Sequence, residues 1–155
     1  MLYFGIVLII VALDQMSKLL VVARFSLYDS VEVIPGFFNL VYVTNRGAAF
    51  SILAEYDSPW RHYFFVSVSI IAIIVLTVLC VRMRKKAPWQ SRYLALIAGG
   101  AMGNFIDRIR VGEVIDFIDI YYKNYHWPAF NVADSAICIG VVAFMIAGCI
   151  EKERS

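Results

Sequence analysis

Between Tyr63 and Val81 the chain runs for nineteen residues without a charged side chain. A helix rises about 1.5 Å per residue, so this run can cross a hydrocarbon core about 30 Å thick. Three further apolar spans accompany it, over about 2–23, 93–110 and 130–150. The apolar fraction of the 155 residues is 61%, against roughly 45–50% in soluble domains. Charged residues make up 17%, against about 25%, and the mean hydropathy is +0.74. A soluble enzyme and a disordered tail are both excluded. The spans predict an all-α membrane protein with four transmembrane helices, forming one integral membrane domain over residues 1–155.

The first span is not a cleaved signal peptide by pattern, because no basic stretch precedes it and no A-x-A site follows. The net charge of +2 says little, but its distribution says more. Arg82, Arg84, Lys85, Lys86 and Arg92 crowd into a segment that holds no acid. A short basic run between two apolar spans reads as a cytoplasmic loop over 82–92, not as a nucleic-acid site. Both termini are then cytoplasmic, and segments 24–62 and 111–129 lie outside. Cys80, Cys138 and Cys149 all fall within apolar spans, which predicts small core residues and no disulfide framework.

Val31 to Val43 is rich in β-branched and aromatic residues and contains Pro35-Gly36, predicting a small outer sheet or hairpin. Ala48 to Tyr56 would suit a helix or loop at the membrane interface. Asp57-Ser58-Pro59 reads as a helix start. No internal repeat is present, so an inverted-repeat transporter is not supported.

Charged groups within a bilayer are costly, and each is a functional hypothesis by default. Asp14 lies roughly 18 Å from the cytoplasmic start of its span by helical rise, with Lys18 deeper. Asn104, Asp107, Asn131 and Asp134 also fall in the outer half. A continuous ion path would need polar groups on both sides of the midplane, so the pattern points to a site opening at the outer surface. Asp14 and Lys18, at i and i+4, read first as a mutually neutralising pair. Asn104, Asp107 and Arg108 share a face, and Asp107 with Arg108 either clamps the outer loops or positions a substrate. Gly99 and Gly103 form a small-xxx-small packing pattern.

Asp116 follows the third span and Asp134 opens the fourth. These two spans are antiparallel and joined outside, so the two carboxylates can meet at the outer surface. A close pair shares a proton: one member activates water and the other protonates a leaving group. That is sufficient apparatus for peptide hydrolysis. Asp119 reads as a solvated loop residue. His62 and His126 lack metal-ligand spacing and are expected at the membrane interface, so neither a metal nor another cofactor is predicted. No nucleophile elbow, phosphate loop or dinucleotide fingerprint occurs. The competing classes are a four-helix ion-coupled carrier, with Asp14, Asp107 and Asp134 as relay groups, and a binding-only membrane chaperone.

Taken in order along nearly the whole chain, five short motifs resemble lipoprotein signal peptidase, the signal peptidase II family. They are Asp14-Gln15-Met16-Ser17-Lys18, Asn45-Arg46-Gly47-Ala48-Ala49-Phe50, Gly103-Asn104-Phe105-Ile106-Asp107-Arg108, Val114-Ile115-Asp116-Phe117 and Phe130-Asn131-Val132-Ala133-Asp134. The resemblance implies an aspartyl endopeptidase of the bacterial cytoplasmic (inner) membrane. It would cut diacylglyceryl prolipoproteins just before the lipidated cysteine, as a monomer among membrane lipids. Asp116 and Asp134 would be the catalytic dyad, with Asn45, Gly47, Asn104, Arg108 and Asn131 positioning substrate or dyad. Asp14, Lys18 and Asp107 would support the site. The Val31–Val43 sheet would cradle the lipidated substrate, and globomycin-type compounds would inhibit.

Overall fold

The computed structural model describes residues 2–47 and 59–153. The interface segment expected over Ala48 to Tyr56 lies outside these residues, as do Asp57 and Ser58 of the expected helix start, while Pro59 does begin a helix. The described residues form four helices: α1 (Leu2–Arg24), α2 (Pro59–Met83), α3 (Pro88–Arg110) and α4 (Val132–Glu153). Four strands accompany them: β1 (Ser30–Ile34), β2 (Phe38–Asn45), β3 (Val114–Tyr122) and β4 (Tyr125–His126). Each helix outlasts its expected span at one end or both. The apolar runs are bounded by charges, whereas the backbone ladder continues through residues such as Arg82 in α2 and Arg92 in α3.

Among the described residues, three helices are long and apolar enough to cross a membrane: Leu2–Arg24, Trp60–Met83 and Val132–Ile150. α3 is as long but less apolar, and the packing explains why. It contacts α1, α2 and α4, so its buried face is set by close approach instead of by greasy bulk: Ser91, Ala95, Ala98, Gly99, Gly100 and Gly103 are all buried. A Cβ on Gly100 would lie 2.3 Å from the carbonyl oxygen of Ala133. The outer helices instead turn Leu8, Ile9, Leu13, Ile71, Ile74, Val142 and Met145 outward. Cys80 is buried, its thiol 2.9 Å from Ser91 Oγ, clipping α2 to α3. Cys138 and Cys149 are exposed, which corrects the expectation of three core cysteines. Both lie on the outward face of α4, where an apolar residue does not imply a buried one.

The sheet is antiparallel in the order β1-β2-β3-β4. The β1–β2 hairpin occupies the predicted region, and Gly36 takes φ +76 in its turn, a conformation that glycine adopts freely. β3 was not anticipated. Its opposite edge is met by Phe130: the Phe117 and Ile118 N–H groups both donate to Phe130 O, at 3.0 and 2.8 Å. β3 is thereby held between β2 and the residues that lead into α4. Asp119 is buried, accepting from Asn39 Nδ2 at 2.8 Å and lying 2.9 Å from His126 Nδ1. The expectation of a solvated loop residue is therefore corrected. Asp119 sits on a strand opposite Asn39, and it ties three strands together.

Candidate active site

The site is assembled from both ends of the chain around the N-terminus of α4. Asn131 caps that helix: its Oδ1 accepts from the Asp134 N–H at 2.9 Å. Such a cap satisfies one of the donors a helix start leaves unpaired. Asp134 returns the interaction, its carboxylate accepting from the Asn131 backbone N–H, in the reciprocal manner of a capping box. Asp14 of α1 serves a second free donor, its Oδ1 accepting from the Ala133 N–H at 2.9 Å.

Asp14 and Lys18 are both fully buried. Lys18 Nζ lies 2.9 Å from Asp14 Oδ2 and 2.6 Å from Asp107 Oδ2. The expected pair is thus a buried cation shared between two carboxylates of different helices. Removing one member of such a group is costly, because an uncompensated charge stays behind. Asp107 also accepts from the Ile115 N–H at 3.2 Å, fixing where β3 starts. It does not pair with Arg108. The Arg108 guanidinium donates to Gly47 O at 3.4 Å, lies over the Phe65 ring, and faces Asp134 electrostatically. Of the two roles left open by spacing, Asp107 takes the clamp. Arg108 is turned toward the carboxylates.

Two asparagines join the carboxylates. Asn131 Nδ2 donates to Asp116 Oδ1 at 2.7 Å and Asn104 Nδ2 donates to Asp134 Oδ1 at 2.7 Å. The two amides also meet, Asn131 Nδ2 to Asn104 Oδ1 at 3.3 Å. Asn45, at the end of β2, hydrogen-bonds Asp116. Its Oδ1 also accepts from the Gly47 N–H at 2.9 Å. Asp14, Lys18, Asn45, Gly47, Asn104, Asp107, Arg108, Asp116, Asn131 and Asp134 therefore belong to one connected cluster, whereas Asp119 and His126 lie outside it. Among the described residues no buried side-chain nitrogen or oxygen lacks a partner.

One contributor was missed. Gln15 Nε2 donates to Asp107 Oδ1 at 2.9 Å and to Gly103 O at 3.2 Å, while Arg110 donates to Gln15 Oε1. Its signal was available, since a neutral amide within an apolar span needs partners as surely as a charge does.

Burial raises the Asp116 carboxyl to about 7, and the nearby Asp134 charge adds to the effect against the opposing Asn131, Lys18 and Asn45. The ordinary carboxylate value is about 3.9. The fold therefore favours protonated Asp116. Its contribution to stability is whole below about pH 4 and is lost as pH rises through about 7. Thermal unfolding in detergent is expected to show falling stability across that window. Asp116→Asn, which cannot ionise, flattens the slope.

A buried acid that keeps its proton near neutrality, beside a second carboxylate at a helix N-terminus, can give and take protons without a metal or a nucleophilic side chain. The signal peptidase (SPase) II family model matches residues 6–150. The lipoprotein signal peptidase of Geobacter sulfurreducens is 49% identical over 150 residues, covering 97% of this chain and 92% of that protein. That of Syntrophus aciditrophicus is 46% identical, covering 94% and 90%. A solved bacterial membrane enzyme superposes with a TM-score of 0.84 at 35% identity, covering 99% of this chain and 90% of that one.

Proposed function

The chain belongs to the signal peptidase II family, and from that premise we propose that it is an aspartic endopeptidase removing signal peptides from diacylglyceryl-modified prolipoproteins. The observation that carries this reading is the Asp116–Asp134 pair, held by two mutually bonded asparagine amides at the start of α4.

In the reaction, one carboxylate takes a proton from water as its oxygen attacks the scissile carbonyl carbon. The other, protonated, gives its proton to the amide nitrogen of the lipidated cysteine. The C–N bond breaks, leaving a carboxylate on the signal peptide and a free amine on the cysteine. Arg108 and Asn45 lie against the dyad and serve to position the substrate. Gly47 accepts from Arg108 and holds it in place. Asp14, Lys18 and Asp107 fix α1, α3 and β3 beneath the dyad.

α3 serves as a fourth span, its low hydropathy tolerated because three helices surround it. The basic 82–92 loop and both termini face the cytoplasm. The site then opens at the outer face of the cytoplasmic membrane, where the acyl chains of the substrate stay in the outer leaflet while its peptide bond reaches the interface. The β1–β2 hairpin cradles the lipidated segment, and the protein acts as a monomer open to globomycin-type inhibitors. Purified protein is expected to cleave a synthetic diacylglyceryl prolipoprotein, and to leave the unlipidated peptide intact. Binding without cleavage by folded protein would put a membrane chaperone in its place.

A further inference from the structure

The dyad's two carboxylates are not equivalent, and the difference begins at Lys18. A primary amide offers one accepting and one donating end, and its neighbours decide which end points where. Asn104 Oδ1 is met by Lys18 Nζ at 3.1 Å and by Asn131 Nδ2 at 3.3 Å. An ammonium has no acceptor to offer. Were the Asn104 amide reversed, its NH2 would face two donors, so the reversal is forbidden while Lys18 stays. Asn104 must therefore donate to Asp134. Asn131 is locked in the same sense, because its Oδ1 is occupied by the Asp134 backbone N–H.

Asp134 thus receives the Asn104 amide, the Asn131 N–H and the positive end of α4, and it faces Arg108. Asp116 lies on a strand, more deeply buried, with only neutral amides donating to it. We infer that Lys18 is a positioning residue which acts through Asn104 to assign the shared proton, so that Asp134 enters the reaction as the carboxylate and Asp116 as the acid. Asp134 then takes the proton from water, and Asp116 gives its own to the departing nitrogen. This division of roles rests on the endopeptidase reading.

The charged groups facing the pair are Asp14 and Lys18 from α1 and Asp107 and Arg108 from α3. Two variants isolate the relay. Lys18→Met with Asp107→Asn removes one charge of each sign, leaving the net charge unchanged. Asn104→Leu removes the amide and leaves Lys18 paired with both of its carboxylates. In each, the acid limb of the kcat/KM pH profile, which reports ionisation of the base, is expected to move up by roughly one unit. Gln15→Ala, which touches Asp107 but not Asn104, lowers thermal stability without moving that limb. Equal loss at all pH values in both relay variants would reduce Lys18 to a scaffold and overturn the inference.

A readout without substrate separates this from the endopeptidase reading. The infrared carboxylic-acid band is titrated in Asp134→Asn, where Asp116 remains, and in Asp116→Asn, where Asp134 remains. Asp116 is expected to keep its band to the higher pH. The reverse order overturns the inference even if the wild type cleaves prolipoproteins. The expected order, with no cleavage by the wild type, would sink the endopeptidase reading and leave the proton assignment standing.

Discussion

Asp116→Asn and Asp134→Asn in purified protein each lower prolipoprotein cleavage by about a thousandfold, within the range expected for loss of a positioned acid or base. The substitutions are close in shape, and the Asn131 and Asn104 donors that now meet the dyad can still find an oxygen. The folded protein therefore survives, and a thermal shift measured beside the cleavage assay shows this. The double variant falls no further than either single one, because two groups sharing one proton act as a unit. Full activity in Asp116→Asn would refute the dyad. Asp107 with Asp134 would be the next pair to test, although Asp107 is already committed to Lys18 and Ile115.

Gly100→Ala has the largest expected effect away from the chemistry. The added Cβ would meet the Ala133 carbonyl oxygen at 2.3 Å and Ile137 Cγ1 at 2.7 Å. A side chain can turn aside, but the backbone oxygen of a capped helix start cannot. α3 and α4 must separate, at a cost of about 1–3 kcal/mol for overpacking of this kind. The displacement falls within three residues of both Asn131 and Asp134, so cleavage drops together with the melting temperature. Gly148→Ala is the control, since nothing lies within 4 Å of its added carbon. Unchanged melting in Gly100→Ala would show that the helices are not in the contact described.

The helices were legible because lipid-facing surface must be apolar throughout, and that leaves an unbroken signal in α1, α2 and α4. α3 was legible for a different reason: glycines and alanines cluster where three neighbours press close. The approach of Asp116 to Asp134 could be expected from topology, since two antiparallel helices joined by the intervening segment bring the two carboxylates to one end. β3 was harder to see. Val114–Tyr122 carries no clean alternation because β2 and Phe130 flank it and most of its residues are buried. Asp119 was misjudged with it, since a carboxylate in a presumed loop gives no hint of the Asn39 and His126 that enclose it. Spacing along α3 also could not separate Asp107 from Arg108. Adjacent residues on a helix diverge by about 100° in direction, and here one turns to α1 while the other turns to the dyad.

Asp14 Oδ1 holding the Ala133 N–H joins positions 119 residues apart. A ribosome makes α1 first and α4 last, so the parts of the candidate site exist before the site does. Until α4 is made, Asp116 lacks both Asp134 and the Asn131 amide, and Asp14 has no helix start to hold. If the chain is the endopeptidase proposed above, it cannot cleave a prolipoprotein before α4 docks. On that reading, activity comes only with the docking of the final helix, a delayed onset set by the order of the chain.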